Sequence, residues 1–227
     1  LVDAFGHMAV FGVLSLFSIM TLLILPFIPD VKTKKTNVTG FKFNISYLLV
    51  FALLALFLFQ ASNMGVADYA FELGKDIGLV NNEVSNMLTI ANIISISGGI
   101  LVYIIGTKYG RTAPLVVGIS LSAIFTFLLH YSSNISIYFL ANTVTGIAWA
   151  FVIPYILGLC ASFDSHGQMA ALAGFISKVG LATGPLVGAL LIIEYGFGLI
   201  INIASIALVI AVVFIYISST KHKESTE

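Results

Sequence analysis

Seven long apolar runs decide what this chain can be: Ala4–Ile28, Ile45–Tyr69, Asn82–Ile105, Thr112–Leu129, Ile135–Leu159, Gln168–Ile193 and Phe197–Ser218. Each is close to the ~20 residues an α-helix needs to cross a bilayer core. Barrel strands would show shorter alternating segments of roughly ten residues. A soluble domain also carries about 25% charged residues, whereas this chain has 9%, against 59% hydrophobic. No soluble fold of this length could hide that much apolar surface. The sequence therefore predicts an all-α, polytopic membrane protein with seven transmembrane helices.

The loops predict an orientation. Lys32, Lys34, Lys35 and Lys42 sit in the first loop, Lys108 and Arg111 in the third, and Lys221 and Lys223 in the tail. The second loop region has Asp68, Glu72, Asp76 and Glu83 with only Lys75. Lysine and arginine gather on cytoplasmic loops, so the first loop, third loop and C-terminus are expected inside. The polar stretch 29–44 is the natural boundary between a leading helix, 1–28, and a six-helix bundle, 45–218, with 219–227 as a cytoplasmic tail. The chain opens on Leu1 and turns apolar within a few residues, without a basic region and cleavage site. We read that as a fragment beginning just before a membrane helix.

The last six runs carry an internal repeat at an offset of 86 residues. Tyr109-Gly110 maps onto Tyr195-Gly196, Gly98 onto Gly184, Asn92 onto Lys178 and Asn63 onto Trp149. Two units of three helices are necessarily inverted in the membrane, and such repeats place binding sites near the midplane.

The run from Gly167 to Ile193 is the most informative single segment. Gly180, Gly184 and Gly188 form a smooth stripe that another helix can approach closely. Roughly opposite lie Gly174, Lys178, Ala182 and Pro185. A lysine at a helix centre costs roughly 2.5–3.5 kcal/mol on insertion scales, so Lys178 needs a compensating environment. At 1.5 Å per residue it sits about 15 Å from the nearer helix end, half of a roughly 30 Å core. Its side chain spans only about 6 Å, which makes snorkelling to the headgroups a poor alternative.

A six-helix half of three plus three helices, preceded by a helix ending Leu25-Pro26-Phe27-Ile28-Pro29-Asp30 and a basic loop, resembles the major facilitator superfamily. Lys108-Tyr109-Gly110-Arg111 is similar to the basic–aromatic–Gly–Arg core of that family's G-x-x-x-D-R-x-G-R loop. Tyr103 and Thr107 stand where the leading glycine and the aspartate would be. Phe71-Glu72-Leu73-Gly74, and Gly184-Pro185 with Gly188, are similar to bacterial members. The resemblance implies helices six to twelve of a twelve-helix secondary transporter in a bacterial inner membrane, whose N-terminal six-helix half is a partner absent here. It also implies a cavity wall built from the helices that carry Gln60, Asn63, Asn92, Asn142, Trp149 and Lys178, the expected substrate-binding residues. Lys108, Gly110, Arg111, Gly184 and Pro185 are the expected gating residues.

Each amide could instead bond only a neighbouring helix, worth about 0.6 kcal/mol on average, and Trp149 could be packing. A central cation suggests an anionic or zwitterionic solute, with a proton as candidate coupling ion. His7, His130, His166 and His222 are dispersed and lack metal-ligand spacing. The single cysteine, Cys160, can form no internal disulfide. No phosphate-binding glycine loop is present, so neither metal, cofactor nor enzymatic activity is expected. Neutral net charge with scattered cations argues against nucleic acid. A seven-helix receptor or retinal protein is the alternative, although retinal lysines lie in the last helix of those families and Lys178 does not.

Overall fold

A computed structural model describes residues 7–27, 46–164 and 166–224. Among them every regular element is helical, as expected where no water is present to satisfy backbone groups. The elements are α1 (His7–Ile24), α2 (Tyr47–Ala67), α3 (Ala70–Asp76), α4 (Asn81–Ser95), α5 (Ser97–Ile105), α6 (Thr112–Leu128), α7 (Ile135–Ala161), α8 (Gln168–Tyr195) and α9 (Phe197–Glu224). Helix α1, closed by a 3-10 turn at Leu25–Phe27, belongs to one compact unit, and α2–α9 form another. Among the described residues six helical spans are long and apolar enough to cross a membrane: Tyr47–Ala67, Asn81–Ile105, Thr112–Tyr131, Ile135–Ala161, Gln168–Tyr195 and Phe197–Lys221. The apolar part of α1, Phe11–Ile24, is shorter. The basic stretch 29–44 lies outside the described residues.

Polar residues fix the ends of these spans. Ser46 accepts from the Leu48 amide at 3.3 Å and Asn134 from the Ser136 amide at 3.0 Å. Asp164 accepts from the amides of Gln168 and Met169 at 2.8 and 3.3 Å, satisfying orphan donors of the α8 N-terminus. Gly106 and Gly196 end α5 and α8 at φ 53° and 71°, conformations a side chain resists.

Two features were not legible in the hydropathy pattern. The expected run Asn82–Ile105 is one span interrupted at Ile96. Ser95 Oγ turns back to the Ala91 carbonyl at 2.7 Å, and Ser97-Gly98-Gly99 follows. Back-bonding serines and Gly/Ser pairs are recognised causes of helix bending. The loop after α2 also contains the short helix α3. The fully buried Tyr138 of α7 holds it by donating its hydroxyl to the Ala70 carbonyl at 2.8 Å.

In the bundle α2 packs chiefly on α8 and α9, α9 on α6, α6 on α7, and α7 on α4 and α5. The glycine stripe of α8 faces α2. A Cβ on Gly184 would fall on the Ala61 carbonyl, and one on Gly188 would crowd the Gly65 carbonyl. Helix association in lipid depends on such close backbone approach, because burial from water gives no drive there. The buried apolar residues form two clusters. One contains Leu49, Leu56, Ile119, Val152 and Ile215, and the other Val66, Leu129, Tyr138, Ile201 and Ala204. Along α2 and α6, buried polar residues fall between them: Gln60, Asn63, Ser122 and Thr126.

Candidate functional site

The polar layer is built from four helices, α2, α6, α7 and α8. Gln60, 2% exposed in mid-α2, donates its amide to Ser177 Oγ on α8 at 2.6 Å. Its carbonyl accepts the Trp149 indole N–H from α7 at 2.7 Å. One side chain therefore ties α2, α7 and α8 together at mid-depth. A buried amide must place both donor and acceptor or lose the desolvation energy of each. One turn along α2, Asn63 donates to the Phe59 carbonyl at 2.8 Å and accepts from Ser122 Oγ on α6 at 2.7 Å. No buried side-chain nitrogen or oxygen among the described residues lacks a hydrogen bond.

Beside this layer lies a cavity of about 490 Å³. Asn63, Asn92, Asn142 and Trp149 line it, with Ser95, Thr126, Thr145 and Asp68. Asn142 donates to its own helix, to the Tyr138 carbonyl at 2.8 Å. Asn92 is exposed in the wall and makes no hydrogen bond among the described residues. The lining thus offers an indole face, unengaged amide groups, hydroxyls and one carboxylate. Loss of surrounding water pushes the Asp68 carboxyl upward from its ordinary value. Such a wall can take a small hydrophilic solute by hydrogen bonds and by stacking on Trp149.

Of the expected binding residues, Gln60 and Trp149 touch each other, and Asn63, Asn92, Asn142 and Trp149 share the cavity. Lys178 does not line it. It lies in an exposed stripe of α8 with Ala171, Phe175, Ala182 and Leu186, opposite the buried stripe Ala173, Ser177, Gly180, Gly184 and Gly188. Its neighbour Ser177 bonds Gln60, so the two sit at one level of the bundle. Lys178 makes no ion pair among the described residues.

Sequence reasoning missed Ser177, Ser122, Ser95, Thr126, Thr145 and the part Asp68 plays in the lining. Only Ser177 had a usable signal, its helical phase with the glycine stripe. Serines and threonines in membrane helices mostly bond back to their own helix, as Thr145 does to the Ala141 carbonyl at 2.8 Å, so type and spacing alone do not single out the rest.

The expected gating residues fall in two places. Gly106–Gly110 form a tight turn, in which the Gly110 amide donates to the Thr107 carbonyl at 3.0 Å, with Gly110 at φ 70°. Tyr155 of α7 pins it by donating to the Gly106 carbonyl at 2.7 Å. Lys108 is exposed, and Arg111 is half-buried with its guanidinium facing Gly158. At the opposite end of the bundle, the Pro185 carbonyl accepts from the Tyr69 hydroxyl at 2.8 Å. Proline also leaves the Leu181 carbonyl without its helical donor. Gly184-Pro185 is thus both the closest contact and the weakest turn of α8.

Six membrane-length helices among the described residues, with a polar cavity between them, define a multi-pass membrane protein. Residues 49–227 match the Major Facilitator Superfamily, and the chain belongs to that family. It is a membrane transporter of that superfamily, a class that moves small molecules across a bilayer, which sets it apart from seven-helix receptors. The matched region takes in the six spans from α2 onward and leaves α1 outside. No curated protein sequence matches the chain.

Proposed function

We propose that the chain is part of a secondary transporter that carries a small anionic or zwitterionic solute by alternating access. The bundle works in this reading against a second six-helix half, which covers the Lys178 stripe and closes the cavity. The chain Ser177–Gln60–Trp149, bonding three helices beside the Asn63–Asn92–Asn142 wall, carries the proposal. Lys178 supplies a cation at the level of Gln60, and Asp68 the only charge among the described residues of the lining. The solute's negative group pairs with Lys178, and a zwitterion's ammonium turns toward Asp68. The Gly106–Arg111 turn and Gly184-Pro185 take up the rocking motion. A proton is the coupling ion we favour, and the bacterial inner membrane the location, with the C-terminus inside.

Trp149 is the only tryptophan of the chain, so its emission reports the site directly. A panel of small carboxylates, amino acids, neutral polyols and ammonium compounds should separate in a fluorescence titration. Saturable changes with anions or zwitterions support the reading. A response confined to polyols or simple ammonium ions defeats it.

A further inference from the structure

A second cavity, of about 900 Å³, opens at the Arg111 end of the bundle, between α6, α9 and the end of α7. Arg111, Thr107, Thr112, Tyr109, Tyr216 and Ser219 line it, with one cation and no acid among the described residues of the lining. Arg111 forms no ion pair among the described residues. Further along the same α6–α9 seam lies a third cavity, about 450 Å³, whose wall includes Ile124, Phe127, Ile206 and Val209.

The two are joined by exposed apolar side chains at helical spacing. Val117, Leu121, Ile124 and Phe127 run along α6, and Ile206, Val209, Val213 and Tyr216 along α9. From Val117 to Phe127 the seam is about 15 Å long at 1.5 Å per residue. That is the hydrocarbon depth of one leaflet, half of roughly 30 Å. Tyr109 and Tyr216, both exposed at the polar end, stand where interfacial aromatics are enriched. A basic, hydroxyl-rich pocket continued by an apolar groove of leaflet length matches a phospholipid in charge and in dimension.

We propose that the α6–α9 seam binds an anionic phospholipid, with its phosphate at Arg111 and one acyl chain along the groove. Native mass spectrometry of the full chain in detergent tests this with dioleoylphosphatidylglycerol, dioleoylphosphatidylcholine and inorganic phosphate as probes. Retention of the glycerol lipid should exceed that of the choline lipid by about fivefold, the worth of one surface cation toward anionic lipid. Arg111→Gln should abolish that preference, and Ile124→Trp, which fills the groove, should lower retention of both lipids. Equal retention of the two lipids, or unchanged retention in either variant, overturns the proposal. Displacement of the lipid by millimolar inorganic phosphate would mean that a soluble anion is the occupant, and overturns it too. If Arg111→Gln does not fold, Ile124→Trp and the lipid comparison still decide.

Discussion

Gly98 and Gly184 stand in one structural relationship, 86 residues apart. A Cβ on Gly184 would fall on the carbonyl of Ala61, and a Cβ on Gly98 on the carbonyl of Ile147. Ala61 and Ile147 are themselves 86 residues apart, so the two contacts exchange under one operation. The same offset relates Gly110 and Gly196, at φ 70° and 71°. It also relates Tyr69 and Tyr155, which each donate a hydroxyl to a backbone carbonyl, Tyr69 to Pro185 in α8 and Tyr155 to Gly106 in the turn after α5. One close glycine crossing is thus used twice in the bundle.

Those contacts tolerate no side chain. Backbone cannot retreat as a flexible side chain can, so Gly98→Ala and Gly184→Ala should each cost about 1–3 kcal/mol. Gly174, with open space around its Cβ position, should accept alanine with a gain of up to about 1 kcal/mol. The buried Cys160, the single cysteine, reports unfolding through a thiol-reactive dye. Equal melting temperatures for all three variants would mean that the glycine contacts are not what holds the helices together.

The repeat was legible because glycine is irreplaceable at such crossings and so leaves a mark in the sequence. The spans were legible to within a few residues because lipid admits little besides continuous helix. The polar layer was legible only in part. Gln60, Asn63, Asn142 and Trp149 stand out against their apolar neighbours, but the partner serines do not, since a hydroxyl looks the same bonded across helices or along its own. Helical phase placed Lys178 opposite the glycine stripe, as found, but that the cavity lies away from α8 depends on helix packing, which residue type does not fix.

Orientation has a direct test, resting on the lysine asymmetry of the loops. Single cysteines at Lys108 should react with impermeant thiol reagents only from the cytoplasmic side. Those at Lys75 or Asn134 should react only from outside. Reversed labelling would refute the proposed sidedness while leaving the fold intact.

Asp68 gives the chain a signed pH dependence. Desolvation raises its carboxyl in the folded protein, so the folded state holds a proton that the unfolded state has already lost. Its stabilising contribution is full below the unfolded pKa and disappears as pH rises through the folded one. Asp68→Asn should therefore raise the melting temperature at neutral pH, with the advantage fading in acid. A difference that stays constant across pH would assign the effect to packing instead.

Arg111 should matter for movement more than for affinity. It borders the turn at one end of the bundle, away from the polar layer, and a charge-assisted bond from it to an anionic group at that rim would hold one state. Such a bond is worth roughly 1.5–3 kcal/mol, so Arg111→Ala should slow turnover by roughly 10- to 150-fold. Because Thr107 stands where the resembling loop has an acid, no carboxylate in the turn shares the load. Weakened solute binding with untouched turnover would rule the latch out.

Lys178 is the decisive residue. Its stripe on α8 is otherwise apolar, and a cation facing lipid there would cost several kcal/mol without compensation. Facing a watery cavity between two halves, it would recover much of that cost by pairing with the solute's negative group. Since it makes no ion pair among the described residues, Lys178→Ala should change stability by no more than about 0.5 kcal/mol, as is usual for exposed positions away from packing. The same variant should lose the Trp149 response to anions. Lys178→Arg keeps the charge but replaces a compact ammonium by a planar fork, and should bind partly while transporting poorly. Transport and Trp149 emission in the full-length protein, run beside a melting curve, separate the outcomes. Normal transport by Lys178→Ala would end the proposal, and failure of that variant to assemble would mark the lysine as a structural partner of the second half.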